Sequence, residues 1–218
     1  MAEPAARLYL ITPLVEDAAA FAPRLAEACA AGDVAAVLVR LAPADERTLT
    51  NRVKALSHAA QEHGAALIVA SDGDADVVTV AARGGADGVH LAGPKAAAVK
   101  EVAGRLKGER TLGIGGIRSK DDAMTFGEAG VDYLLFGEPR PDGSLPSLES
   151  VAERAAWWAE IFETPCVAYA PTLDAVPALA ATGAEFVALG DAVWSHPEGP
   201  APAVRQALGR LAGVEAAG

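Results

Sequence analysis

A single closed (β/α)8 barrel is the fold that this sequence predicts. The main observation is a motif that occurs four times: a glycine, a small or acidic residue, and then a run of mainly apolar residues. The glycines are Gly32, Gly85, Gly130 and Gly183, at spacings of 53, 45 and 53 residues. Each spacing is close to that of two βα units, so the copies mark every second strand of eight. We expect each glycine to end a helix at positive φ and each run to form a buried parallel strand.

Length and composition fit one such domain. The chain has 218 residues and 51% of them are hydrophobic, which is enough for a large core. This length lies near the lower end for one barrel and is too short for two. Residues 1–218 are therefore expected to form one domain, with roughly 214–218 frayed. An open doubly wound sheet is the alternative, although eight alternating units would make it unusually long.

Apolar runs and turn signals divide the chain into alternating strands and helices. Pro13 is expected to stop the first strand, Asp45 and Ser119 to cap helices, and Pro94 to lie in a first helical turn. The predicted strands are 8–12, 34–41, 66–70, 88–91, 111–115, 132–136, 165–169 and 185–189. The predicted helices are 15–31, 44–63, 75–83, 94–106, 147–162, 172–182 and 201–213, with one more after Ser119.

Charge and composition limit the classes of partner that this protein is expected to bind. The net charge of −11 argues against non-specific binding to nucleic acid or to an anionic membrane, which needs a basic face. No run reaches the roughly 18 apolar residues of a membrane helix, and no signal peptide is visible at the start. Cys29 and Cys166 are expected to be buried free thiols, and the protein is expected to be cytoplasmic. A phosphorylated ligand is still compatible, because backbone amides can bind phosphate within an acidic protein.

Several segments resemble, in order, the thiamine-phosphate synthase family, which has a sister branch of thiazole tautomerases. The segment 85–91, Gly-Ala-Asp-Gly-Val-His-Leu, matches the strand 4 signature of that family most closely. The other matching segments are 8–12, 37–40, 130–137 and 183–189.

The resemblance implies a transferase reaction. In that family a pyrimidine diphosphate loses pyrophosphate, and the nitrogen of a thiazole phosphate attacks the resulting cation. Basic side chains and a magnesium ion held by two aspartates neutralise the leaving group. The product phosphate lies on glycine-rich turns after strands 7 and 8.

Several residues that the family uses for chemistry are changed here. No lysine follows Arg40 after strand 2, and Lys95 replaces the second metal-binding aspartate after strand 4. The magnesium site implied by the resemblance is therefore reduced to Asp72, a doubtful metal ligand with a cation nearby. The family's Thr-x-Thr-Lys segment after strand 6 is replaced by a loop in which Arg140 and Ser144 are the nearest substitutes.

Two further loops also depart from the family. After strand 5, Gly115-Gly116-Ile117-Arg118 replaces a segment that contains the tautomerase histidine. After strand 7, Tyr169-Ala170-Pro171 replaces a Gly-Gly-Ile turn, so that a proline without an N–H lies in the phosphate corner.

These considerations give the candidate site. Arg40 and Asp72 are the predicted catalytic residues, with an ion pair between them as the alternative. Ligand or phosphate contacts are predicted for Arg40, His90, Gly115, Gly116, Arg118, Ser119, Arg140 and Gly190. His90 can instead be a buried structural histidine, the Gly115 turn a simple tight turn, and Asp191 after Gly190 a helix cap.

The predicted function is thiamine-phosphate synthase-like, with altered active-site motifs. The alternatives are a related enzyme with a different substrate, and a catalytically degenerate barrel that binds or senses a phosphorylated metabolite. A small phosphorylated metabolite is the expected partner. Trp157 and Trp158 cannot share one helix face, so at least one is expected to be exposed or at an interface, with a homodimer contact as the suggestion.

Overall fold

The computed structural model describes residues 6–140 and 142–215 and shows a closed barrel of eight parallel strands in sequential order. The strands are β1 (Arg7–Val15), β2 (Val34–Leu41), β3 (Ala66–Ser71), β4 (Gly88–Ala92), β5 (Thr111–Gly115), β6 (Tyr133–Phe136), β7 (Cys166–Ala170) and β8 (Phe186–Leu189). β8 pairs with β1, which closes the barrel. The predicted fold is thus confirmed.

Helices cover the outside of the barrel. They are α1 (Ala18–Ala30), α2 (Glu46–Gln61), α3 (Val77–Gly84), α4 (Ala96–Leu106), α5 (Lys120–Gly127), α6 (Leu148–Ile161), α7 (Val176–Ala180), α8 (Asp191–Trp194) and α9 (Pro200–Glu215). A 3-10 turn at Leu173–Ala175 precedes α7, so the predicted helix 172–182 is shorter and irregular. No helix in the described residues is long and apolar enough to cross a membrane.

Alternation along the strands creates two separate cores. One set of side chains packs between the strands and the helices, and includes Leu8, Leu10 and Trp158. The opposite set fills the barrel itself. This barrel-interior cluster consists of Tyr9, Ile11, Leu38, Ile68, Tyr133, Leu135, Val167, Tyr169 and Ala188. The chain therefore builds a packed barrel whose inner surface includes three tyrosines.

The repeated motif has a structural role at the N-terminal face of the barrel. In three copies, the acid before an even-numbered strand accepts a hydrogen bond from a backbone N–H in the preceding odd-numbered strand. These bonds join Asp87 to Leu67 (2.7 Å), Asp132 to Leu112 (2.7 Å) and Glu185 to Cys166 (2.8 Å). In the first copy, Asp33 instead forms an ion pair with Arg7 at 2.7 Å. The four acids thus link β1 with β2, β3 with β4, β5 with β6, and β7 with β8.

The motif glycines follow the prediction in three copies of four. Gly85, Gly130 and Gly183 have φ of 83°, 79° and 84°. Gly32 does not adopt positive φ, and a Cβ there would overlap the Leu208 side chain on α9. Helix packing rather than backbone conformation therefore favours a glycine at this position.

The cap predictions were largely correct. Asp45 caps α2, and Ser119 caps α5 in a capping box with Asp122. Pro94, however, precedes α4, because Lys95 is the residue before its first turn. Gly190, not Asp191, holds the capping position of α8.

Pro13 does not stop the first strand, as had been predicted. β1 continues to Val15, and the β1–β2 register shifts between Ile11 and Leu14. An irregularity in the ladder accommodates a residue that lacks an N–H. At the other end of the chain, α9 includes residues 214 and 215, and the remainder of the segment predicted to fray, 216–218, lies outside the described residues.

The two tryptophans of α6 do face different surroundings. Trp158 is fully buried, whereas Trp157 is partly exposed, packs against Phe162 and lies under the Lys120 ammonium, 4.7 Å from the ring centroid. Trp157 is therefore covered largely by its own chain, and the homodimer stays a prediction.

Candidate functional site at the C-terminal mouth of the barrel

A chain of hydrogen bonds crosses the barrel interior. The hydroxyls of Tyr9 and Tyr133 lie 2.7 Å apart, and the Tyr133 hydroxyl lies 3.0 Å from Nδ1 of His90. All three side chains are at most 6% exposed. Burial lowers the pKa of His90 to about 3, so its imidazole is neutral at physiological pH.

Glu138, two residues after the end of β6, lies close to His90 but is hydrogen-bonded elsewhere. Its Oε1 accepts a hydrogen bond from the backbone N–H of Gly116. Burial raises the pKa of Glu138, while the Gly116 N–H and the positive charges of Arg154 and Arg40 oppose that rise. The carboxylate and the guanidinium groups are thus near enough to influence each other. No ion pair within 4.0 Å joins Glu138 to a basic side chain in the described part of the chain.

Two glycines on β5 make room for these polar groups. A Cβ on Gly113 would overlap the phenol ring of Tyr133. A Cβ on Gly115 would overlap Oε1 of Glu138 and lie 2.7 Å from Nε2 of His90. Gly115 therefore allows an imidazole and a carboxylate to converge on one point beside the backbone.

Tyr169 on β7 is another tyrosine of the barrel-interior cluster. A Cβ on Gly190 would lie 2.9 Å from the Tyr169 hydroxyl, so the glycine at the end of β8 accommodates this ring. Burial and the charge of Asp191 raise the pKa of Tyr169, and Arg40 opposes the rise. The side chain of Arg40 thus acts electrostatically on both Tyr169 and Glu138.

Arg40 is held at the end of β2 through its backbone. Its N–H donates a 3.0 Å hydrogen bond to Oγ1 of the buried Thr12 on β1. The residue is exposed at the mouth, and it forms no ion pair with Asp72 within 4.0 Å. Its guanidinium is therefore available to an anionic ligand, and its catalytic role stays a prediction.

In the predicted anion site after β5, two of the groups expected to bind phosphate already form hydrogen bonds within the protein. The Gly116 N–H is already donated to Glu138. The Ser119 hydroxyl accepts the Asp122 N–H as part of the α5 cap. Arg118 is exposed beside them. A phosphate binding at Gly116 would have to displace the Glu138 carboxylate, so Arg118 is the member of this group that is free to reach one.

The loop after β6 forms a compact turn. The Arg140 N–H donates to the Ser144 carbonyl at 2.9 Å, and its guanidinium donates to the Ser144 hydroxyl at 3.2 Å. Both residues predicted to replace the family's Thr-x-Thr-Lys segment are therefore brought together. Their contact with a ligand stays a prediction.

The oxygen ligands expected for magnesium do not form a cluster. Residues 6–140 and 142–215 contain no group of three or more His, Cys, Asp or Glu side chains that could hold a metal ion. Asp72 is exposed at the end of β3, and Lys95 follows β4, the next strand around the barrel. A single carboxylate, with a lysine instead of a second acid after the next strand, does not fit the requirements of Mg²⁺ for oxygen ligands and negative charge.

Sequence reasoning missed the Tyr9, Tyr133 and Glu138 side chains. A signal was available in the odd residues of β1, where Tyr9 and Ile11 alternate with outward-facing leucines. Glu138 gave no such signal, because its role depends on its proximity to Gly116, which is 22 positions earlier in the chain.

Comparison with known proteins identifies the family. The family model described as thiamine monophosphate synthase matches residues 8–193. The chain belongs to this family. A thiamine-phosphate synthase of Rhodospirillum centenum is 40% identical over 200 residues, covering 91% of this chain and 94% of that protein. A thiamine-phosphate synthase of Hyphomonas neptunium is 36% identical over 212 residues, covering 93% and 92%.

Solved structures agree with the thiamine monophosphate synthase fold. A thiamine phosphate pyrophosphorylase from Pyrococcus furiosus superposes with a TM-score of 0.75 at 23% identity, covering 97% of this chain and 98% of that one. A 3-hexulose-6-phosphate synthase from Salmonella typhimurium superposes with a TM-score of 0.70 at 13% identity, covering 95% and 99%. At these identities the likeness shows the fold alone.

Proposed function

We propose that this chain joins a pyrimidine diphosphate to a thiazole phosphate, with loss of pyrophosphate, to form thiamine phosphate. The observation that supports this most strongly is 40% identity to a thiamine-phosphate synthase along nearly the whole length of both proteins.

The residues of the mouth supply the charge that such a reaction needs. The bond from carbon to the pyrophosphate oxygen breaks with its electron pair leaving on the pyrophosphate, and the thiazole nitrogen donates a pair to the carbon. We assign binding of the departing anion to Arg40, which is exposed at the end of β2, and to Arg118 and Arg140, which follow β5 and β6. Oriented positive charges at such a site typically lower the activation barrier by several kcal/mol. Phosphate binding and a cytoplasmic location are part of the proposal; the latter is supported by the buried free thiols of Cys29 and Cys166.

The test is to mix the purified protein with both substrates, with and without magnesium, and to measure thiamine phosphate by mass spectrometry. We expect product above a no-protein control. Arg40→Ala should lower kcat/KM by about 100-fold or more, because a cation facing the leaving group is lost. Asp72→Ala should also lower the rate if this carboxylate takes part. Arg47→Ala, on the exposed surface of α2, is the matched control and should retain the wild-type rate.

A second candidate is a barrel that binds a phosphorylated metabolite without catalysis. It is favoured by Lys95 after β4 and by the use of the Gly116 N–H within the protein. Absence of product, together with a rise in melting temperature with thiamine phosphate, would support this candidate over the synthase.

A further inference from the structure

Glu138 is an acid that lies close to His90 at the mouth, and the synthase resemblance gave it no role. It is fixed on one side, because Oε1 accepts the Gly116 N–H. The residue as a whole is only partly buried, although its carboxyl group lies deep enough for burial to raise its pKa. In the described residues, no other side chain and no other residue's backbone N–H within hydrogen-bonding distance is paired with this carboxylate. Glu138 is therefore oriented by the protein but still able to interact with a ligand.

Two of the groups that face Glu138 are positively charged, but neither forms an ion pair with it within 4.0 Å. His90 on β4 is neutral, since burial lowers its pKa to about 3. The negative charge of Glu138 helps to raise the pKa values of Tyr9 and Tyr133, so both hydroxyls stay protonated. Arg40 on β2 and Arg154 on α6 act on the carboxylate from beyond 4.0 Å, and Arg154 is held by the Ile117 carbonyl and the Ser150 hydroxyl.

A carboxylate in this position repels a phosphate and attracts an organic cation. The reaction proposed above produces positive charge twice: on the pyrimidine carbon as pyrophosphate leaves, and on the thiazolium ring of the product. We propose that the Glu138 carboxylate binds this positive charge, stabilising the pyrimidine cation and recognising the cationic product. Glu138 exchanges neither a proton nor electrons with the substrate, and its contribution is electrostatic.

This inference rests on the proposed function. Two ligands allow the role of Glu138 to be tested separately from the synthase reaction. Thiamine phosphate carries a permanent positive charge, whereas thiazole phosphate has the same phosphate on a neutral ring. Calorimetric titration of each ligand into wild-type protein and Glu138→Gln, which keeps the size of the side chain but removes its charge, isolates the effect of charge. Glu149→Gln, on the exposed first turn of α6, is the matched control.

We expect Glu138→Gln to weaken thiamine phosphate binding at least 10-fold and to change thiazole phosphate binding less than 2-fold. Unchanged binding of the neutral ligand also shows that the variant is folded. In the wild-type protein, the preference for the cationic ligand should fall as pH drops through the raised pKa of Glu138, because protonation removes its charge. This pH dependence should be absent in Glu138→Gln.

The outcomes are distinct. Equal losses for both ligands, or no loss for thiamine phosphate, would overturn the role of Glu138 even if the wild-type enzyme forms product. A wild-type protein that binds the cationic ligand no more tightly than the neutral one would overturn it as well. Charge-dependent binding without product formation would support Glu138 as a cation site and reject the synthase reaction.

Discussion

His90 makes the stability of this barrel depend on pH in a predictable direction. Its pKa is lowered from 6.5 to about 3 by burial beside Tyr133, so the folded protein keeps the imidazole neutral. The unfolded chain takes up a proton as pH falls below 6.5, whereas the folded protein does not until pH approaches 3. The stabilisation due to His90 is therefore complete above pH 6.5 and is lost progressively between pH 6.5 and 3.

The magnitude follows from the size of the pKa shift. Each pH unit below 6.5 favours the unfolded state by about 1.4 kcal/mol, so the free energy of unfolding falls by about 2 kcal/mol between pH 8 and pH 5. This window lies above the range in which ion-paired carboxylates titrate. Asp76, for example, has a pKa of about 2 because of its hydrogen bond to Arg105.

Urea unfolding at pH 8, 6 and 5, monitored by circular dichroism, measures this effect. His90→Asn keeps a polar atom near the position of Nδ1 but cannot titrate. We expect it to be less stable at pH 8 by roughly 1–2 kcal/mol, because a small cavity is left, and to lose the dependence of stability on pH that His90 causes. Glu138 is present in both proteins, so the difference between them isolates His90.

The control is His58→Asn, since the His58 side chain is 84% exposed on α2. We expect this variant to retain the wild-type pH dependence to within about 0.5 kcal/mol. If His90→Asn lost stability between pH 8 and pH 5 as steeply as the wild-type protein, the assignment of this effect to a buried neutral His90 would be wrong.

Three further predictions concern the scaffold. Asp132→Ala should destabilise the protein by about 1–3 kcal/mol, because a backbone N–H in β5 loses its partner, while Asp33→Ala, which removes an exposed ion pair, should cost less than about 1 kcal/mol. Chemical denaturation measures both, and comparable losses would contradict the proposed role of the repeated acids. Gly104→Ala in α4 should stabilise the protein by about 0.5–1 kcal/mol, because nothing lies within 4 Å of the added methyl group. Gly113→Ala should destabilise it by about 1–3 kcal/mol or prevent folding, because the methyl group overlaps the Tyr133 ring. A tolerated Gly113→Ala with unchanged melting temperature would show that the β5–β6 contact is looser than described.

Prediction from sequence succeeded where local patterns dominate. Apolar runs after glycines located the strands, because a buried parallel strand requires consecutive apolar residues and a helix end favours a residue at positive φ. The caps Asp45 and Ser119 were correct for the same reason, since each bonds to a backbone N–H three residues away. Prediction failed at Pro13, where the ladder between two strands, and not the residue itself, determines whether the strand continues.

The site was less predictable than the scaffold. Arg40 was recognised because it lies at a strand end, and His90 because it lies within a matching segment, but the Gly115 turn was interpreted only in terms of its own residues. The structure shows that Gly115 and Gly116 interact with Glu138 and His90 from other strands. A glycine in a sequence indicates space or backbone freedom, but the group that fills the space is identified only after folding.

The sequence by itself determined the barrel, its strand order and the positions of most helices, because these depend on hydrophobic periodicity and on contacts within a few residues. Only the tertiary structure decided which polar groups meet at the mouth. The hydroxyls of Tyr9 and Tyr133 are 124 positions apart in the chain, yet they lie 2.7 Å apart. Closure of the barrel brings them together, and burial then lowers the pKa of His90 and raises the pKa of Glu138 in ways that no local pattern encodes.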